Sequence, residues 1–283
     1  MGGGRRTAPG PALGGIRGPA AVAAIMPGGE CVGFRRPLSP TRPRTRGGLG
    51  DGPPRAETTC PEAVVVMPQR SRRDEQVSAT REALLDAAER LFAEHGVHAV
   101  ANRQISLAAG QGNNAAVSYH FGTKTDLVRA VARRHAERIE VGRQRMMAQV
   151  GDSADLRDWL ACAVRPVTEH LENLGTPSWY ARFMAQVMSD PALRADMNEA
   201  FMDASPSMRL LQENLNRCLP DLPAGVHAER GAMTRHLITQ MTAERERSLA
   251  DNTPTSRASW RETADGLIDV IVALWQAPVT SGR

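Results

Sequence analysis

From residue 78 onward the apolar residues recur three and four positions apart, block after block, and no block alternates in the manner of a strand. That spacing lays one apolar stripe along a helix, because each residue turns the helix by about 100°. The first block is the clearest: Ala83, Leu84, Ala87, Ala88, Leu91 and Phe92 share one face of a helix that begins near Ser78 and ends at Gly96. Aromatic residues make up only 4% of the chain and Ala, Leu and Arg dominate it, so the side chains that favour strands are scarce. An all-α fold is expected.

Punctuation divides this pattern into short pieces and then long ones. A second helix is expected over residues 102–109, with Ile105 and Ala108 inward and Gly110 supplying the left-handed turn that stops it. A third should run from Asn114 to Phe121. A fourth, from Asp126 to about Val150, carries Leu127, Val131 and Ile139 and is long enough to link two domains. Further helices fit residues 153–174, 177–189, 191–203, 205–218, 225–249 and 257–276, with Pro177, Pro191, Pro206, Pro220, Pro223 and Pro254 at first turns or breaks. The last presents Trp260, Ala264, Leu267, Ile268, Ile271, Leu274 and Trp275 on one broad face, suited to a core or a subunit interface.

Residues 1–75 are crowded with Gly, Pro and Arg and show no apolar period that could bury a face, so a disordered tail is expected there. Met67 is followed by Arg70, Arg72 and Arg73 and then by helical pattern, which suggests that the start used in the cell lies at Met67. The chain therefore divides into a tail over 1–75, a unit of short helices over 76–137 and a larger helical unit over 138–283.

Charge follows the same division. Residues 1–76 hold twelve Arg against six acids, residues 77–145 ten basic against seven acidic, and residues 146–283 thirteen basic against eighteen acidic. A polyanion is attracted to the front of the chain and repelled by the back, so contact with DNA should come from before about residue 145. Cys31, Cys60, Cys162 and Cys218 lack the paired spacings of a zinc site or a disulfide framework, and read as reduced. No run of about 18 apolar residues suggests a membrane span, and a cytoplasmic protein without membrane contact is expected. The chain shows no nucleophile elbow, no phosphate-cradling glycine loop, no His-Glu-x-x-His and no paired carboxylates. It reads as no enzyme, and neither cofactor nor metal is implied; His95 and His98 are taken as residues at a helix end, and Arg133 and Arg134 as part of a solvated face.

What the front of the chain does offer is a bracing helix, a short helix, a glycine-containing turn and another short helix with a small, polar outer face, the parts of a helix-turn-helix. Asn113 and Asn114 would open the third helix with amides able to bond base edges, Gln111 and Gly112 lie in the turn before them, and Ala115 and Ala116 allow close approach to the groove. Ser118, Tyr119 and His120 could reach phosphates or bases farther along. The chain has 34 Arg and a single Lys, and that residue, Lys124, stands at the start of the fourth helix, where an anion is already favoured.

The segment Thr80-Arg-Glu-Ala-Leu-Leu-Asp-Ala-Ala-Glu-Arg-Leu-Phe-Ala-Glu-His-Gly96, then Ile105 with Ala108-Ala109-Gly110, then Tyr119-His120-Phe121-Gly122-Thr123-Lys124-Thr125-Asp126-Leu127, resembles the DNA-binding domain of the tetracycline-repressor (TetR) family over about 60 residues. Gln111-Gly112-Asn113-Asn114 departs from that family's common turn, and Ser118 stands where its phosphate-contacting Tyr usually does, with Tyr119 one place later. The resemblance implies an N-terminal three-helix helix-turn-helix domain and a C-terminal ligand-binding and dimerisation domain. It implies a homodimer joined by the last two helices of each subunit, phosphate contacts from Asn102, Arg103 and Lys124, and a repressor that leaves its near-palindromic operator in double-stranded DNA when a small-molecule effector binds. Trp159, Trp179, Tyr180, Phe183, Met184, Met188, Phe201 and Met202 are the flexible and aromatic side chains from which an effector pocket could be lined. The alternative is a non-catalytic architectural or protein-interaction protein without effector control, for which a large second helical unit is unnecessary.

Overall fold

The computed structural model describes residues 72–280, with the backbone alone over 198–204. The expected tail and start at Met67 lie outside the described residues, as do Cys31, Cys60 and the side chains of Phe201 and Met202. Ten helices and no strand occupy the described span: α1 (Arg72–His95), α2 (Asn102–Ala108), α3 (Ala116–Phe121), α4 (Lys124–Val150), α5 (Leu156–Leu174), α6 (Tyr180–Ser189), α7 (Pro191–Ala204), α8 (Pro206–Cys218), α9 (Ala224–Ala250) and α10 (Trp260–Gln276).

Local chemistry sets most of these limits. α1 is already helical at Arg72, the first described residue, rather than from near Ser78, and it carries Asp74 and Glu75 close to that end, where negative charge offsets the helix dipole. Thr123, Asp155, Asp190 and Ser259 cap α4, α5, α7 and α10 by accepting hydrogen bonds from main-chain N–H groups that the helix leaves without partners. Pro191 and Pro206 occupy first-turn positions, where their missing N–H costs nothing.

Two apolar clusters hold the helices together. One gathers Leu84, Phe92, Ile105, Val117 and Leu127 from α1–α4 with Leu171, Phe183 and Met197 from α5–α7, so it runs across the expected division near residue 137. Phe92 and Phe183 stack there with centroids 6.2 Å apart. The other joins Met147, Trp159 and Leu160 to Leu211, Leu215, Ile268, Ile271 and Trp275. The broad face expected on the last helix is thus largely intramolecular core, packed on α5.

A polar joint crosses the first cluster. Glu89 of α1 is buried and accepts hydrogen bonds from Arg134 and from His135 Nε2 (2.8 Å), both on α4. His135 Nδ1 lies 2.8 Å from His170 Nε2 on α5, and the His135 ring stacks on Tyr180 of α6 at 4.1 Å. Arg134 also reaches Asp86 (2.5 Å) and Glu82 (3.5 Å). Arg133 is exposed as expected, but Arg134 is not on a solvated face: three carboxylates of α1 draw it inward, and its side chain keeps 19% of its accessible surface.

Burial, then the positive fields of His135 and Arg138, pulls His170 down to about 4. Burial pushes Glu89 up, but the hydrogen bond and charge of His135, followed by those of Arg134, hold it below its ordinary value. The unfolded chain takes up a proton on His170 below its usual 6.5, which the folded chain refuses. The stability that His170 contributes is therefore complete above pH 6.5 and lost as pH falls towards about 4. Urea midpoints measured between about pH 7 and pH 4.5 should fall, and should fall less steeply in His170→Gln. Parallel slopes would remove His170 from this account.

Candidate nucleic-acid interface

α2 begins where Ala101 N donates to Gln104 Oε1 (2.7 Å), so Gln104 closes the helix start from within. Ile105 is fully buried. Ala108 is exposed, contrary to expectation, and Ser106 is buried in its place. The inward face of this single short helix centres on Ile105, Ser106 and half-buried Ala109, and at about 100° per residue Ala108 turns out of it. Gly110 adopts φ +70° and ends the helix, the left-handed stop expected of it. α3 starts at Ala116 rather than Asn114, because Asn113 Oδ1 accepts from Ala115 N (2.9 Å) and holds Asn113 and Asn114 in a turn.

Ala116 and Val117 point into the core, while Ala115, Ser118 and Tyr119, at i, i+3 and i+4, form an exposed row. Tyr119 keeps 79% of its accessible surface. Arg103, Gly112, Asn113 and Asn114 are exposed as well; Asn102, Gln111 and His120 are half-buried. Gln111 Nε2 donates to Ala109 O (3.2 Å), which ties down the turn. The result is a continuous outer surface of hydroxyls, amides and one guanidinium, groups that can bond base edges and phosphate oxygens.

Two cations hold this surface in place. Arg81 of α1 donates to His120 O (3.0 Å) at the end of α3 and lies 4.3 Å from the centroid of Phe121. Lys124 Nζ donates to Val100 O (2.7 Å) and Val97 O (3.3 Å) in the α1–α2 connection. A phosphate contact from Lys124 would use the N–H left over from those two carbonyls. Thr123 and Asp126 cap each other at the same helix start, which holds Asp126 below its ordinary value through hydrogen bonds from Thr123 and then Arg129. Sequence reasoning missed Arg81, Gln104 and Leu107. Gln104 stands at the capping-box position and was readable; Arg81 finds its partner 39 residues away, and Leu107 is 76% exposed although apolar.

The side chains expected to line an effector pocket divide between the two apolar clusters. Trp159 sits in the second apolar cluster, with Nε1 donating to Ser153 O (2.8 Å), whereas Trp179, Tyr180, Phe183, Met184 and Met188 pack in or against the first. Of these six, Trp179 alone lines the cleft between α1, α4 and the α5–α6 turn. His95 and His98 do not share a site: His95 lies beside Glu94, and His98 Nε2 is 2.5 Å from Asp190 Oδ2, tying the α1–α2 connection to the cap of α7.

A short two-helix reader with a polar outer face, braced by α1 and α4 and carried on a larger helical body, defines a helix-turn-helix DNA-binding regulator. Residues 84–131 match the family described as bacterial regulatory proteins, tetR family, and residues 161–273 match the tetracyclin repressor-like C-terminal domain. The chain belongs to the TetR family. It is 26% identical over 155 residues to the HTH-type transcriptional repressor AcnR of Corynebacterium efficiens, an alignment covering 52% of this chain and 73% of that protein. With AcnR of Corynebacterium diphtheriae the identity is 30% over 125 residues, covering 42% and 64%. Among solved structures, a TetR-family transcription regulator from a Shewanella species superposes with a TM-score of 0.49 at 15% identity, over 70% of this chain and 96% of that one.

The two carbonyl bonds make Lys124 a brace of the reader in the absence of DNA. Lys124→Ala should cost about 1.5–3 kcal/mol, the range for hydrogen bonds involving a charged group, in denaturation of the free protein. An unchanged midpoint would leave Lys124 without that role.

Proposed function

We propose that this protein is a repressor that binds a near-palindromic operator as a homodimer and releases it when a small-molecule effector binds. The observation that carries the reading is the exposed row of Ala115, Ser118 and Tyr119 beside Asn113 and Asn114, on a reader that buries Ile105, Ser106, Ala116 and Val117. The AcnR relatives are named as transcriptional repressors, which supports the direction of control. Such a protein works in the cytoplasm, where the DNA is, and needs no catalytic group.

A dimer is supported by what α9 and α10 leave uncovered. Met233, Leu237 and Met241 follow one another along α9, and Val270 and Leu274 along α10; all five are exposed or half-buried, and the two helices pack on one another. Pairing these faces across a two-fold axis would bury them. Binding two half-sites one turn of duplex apart then requires the two readers to stand about 34–36 Å from each other. An effector that prefers a different spacing of the readers then lowers affinity by shifting the population of dimers.

Selection of bound sequences from a random DNA pool with the full chain, together with the stoichiometry of the complex, tests this. A near-palindrome held by two chains is the expected result; a folded protein that enriches nothing favours the architectural alternative. Within the selected site, Arg103→Ala should weaken binding to all sequences alike and lower the salt slope by about one unit, as for a lost phosphate contact. Asn114→Ala should instead relax preference at one base pair, by about 1–3 kcal/mol. Uniform loss from Asn114→Ala would place the reading face elsewhere.

A further inference from the structure

A cleft of about 760 Å³ lies where the reader meets the helical body, well within the range of small-molecule sites. Its walls come from both units. α1 and the end of α2 contribute one side; α4 and the turn between α5 and α6 contribute the other. It has depth because Ala83, Ala87, Ala108 and Ala109 put only methyl groups where these elements approach, and the Glu89–His135 pair lies along it. Leu174, Pro177 and Trp179 supply apolar surface.

The charges in the cleft are not equivalent. Glu82, Asp86 and Glu89 all contact Arg134, and Glu89 is bonded to His135 as well, so every carboxylate of the lining already faces a cationic or hydrogen-bonding partner. Arg90 and Arg138 also line the cleft and are exposed, and among the described residues neither has a carboxylate within 4.0 Å. A cationic guest would meet two unscreened guanidiniums and carboxylates already engaged. An anionic guest would meet two donors whose planar forks match a carboxylate, sulfonate or phosphate.

We propose that this cleft binds a small organic anion with a flat apolar body, its acid group held by Arg90 and Arg138 and its body against Leu174, Pro177 and Trp179. The site is distinct from a pocket inside the helical body, because α1 and α2 form one of its sides. Its guest touches Ala108 and Ala109, immediately before the Gly110 turn, and so bears on the placement of α3. That last consequence rests on the regulator reading; the binding itself does not.

The test uses two fluorescent probes on the full chain without DNA: anilinonaphthalene sulfonate, and N-phenylnaphthylamine, which has a similar body but no acid group. The sulfonate should bind saturably, one per chain, and more tightly than the neutral probe. Arg90→Gln with Arg138→Gln, both at exposed positions, should weaken the sulfonate roughly tenfold or more and leave the neutral probe within about twofold, the signature of a lost charge-assisted contact. Energy transfer from tryptophan to the bound sulfonate should drop in Trp179→Phe, since Trp179 lines the cleft and would touch the guest, whereas Trp159, Trp260 and Trp275 do not line it. Ala108→Phe, at an exposed position of the cleft wall, should weaken both probes. Sulfonate affinity unmoved by the double substitution, or equal affinity for the two probes, overturns the proposal. Because no DNA is present, either result is separate from the fate of the regulator reading.

Discussion

The position of the reader depends on one buried carboxylate. Glu89 is 6% exposed, and a carboxylate in such a place is costly unless it is paired and hydrogen-bonded. Arg134 and His135 meet both conditions from a single turn of α4, and His135 continues the chain to His170 on α5 while stacking on Tyr180 of α6. Removing both partners would leave a buried charge uncompensated, a loss of about 3–5 kcal/mol, whereas removing one leaves the other bonded, so the joint resists being opened piecemeal. It also has direction. Apolar packing between α1 and α6 tolerates sliding, whereas the Glu89 contacts fix which turn of α1 faces which turn of α4. Two turns earlier on the same helix, Arg81 holds the end of α3. The orientation of the reading helix is thus referred, through α1, to the helical body.

The helices themselves were legible because what makes them is local. Apolar spacing, cap residues and prolines act within four residues of one another, and the expected α5–α10 agree with the observed elements to within a few residues. The joint was not read, since its partners lie 35 to 46 residues apart. A signal for it nevertheless existed. Glu89 follows Leu85 at helical spacing, and His135 falls midway between Val131 and Ile139, each i and i+4 from its apolar neighbours, all of which are buried. A charged or titratable residue inside an apolar stripe on each of two helices is what a buried pair looks like in sequence; periodicity says which face turns inward, and that face need not be wholly apolar.

Short elements were read less well for a related reason. α2 and α3 have seven and six residues, too few for a stripe to define its own centre, and here the turn chemistry of Gly110 and Asn113 decides the register. The single lysine was read by its position at a helix start, as an anion contact. The geometry supplies another reason for a lysine in an arginine-rich chain: the carbonyls of Val97 and Val100 converge on one point, which suits a compact ammonium better than a planar fork.

These contacts also rank the parts by how firmly they are held. α1 is fixed by the Phe92–Phe183 stack and, three residues earlier on the same face, by the Glu89 joint, an apolar and an ionic contact that would have to yield together. α2 and α3 pack mainly on α1, α4 and each other, with Arg81 and Lys124 as their long-range polar ties. Lys124 is the first residue of α4, and Arg134 lies ten positions along it, about 15 Å at the rise of an α-helix. α4 therefore joins the Arg134 contacts near its middle to the Lys124 contacts at its start, a second connection between the helical body and the reading face beside the one through α1.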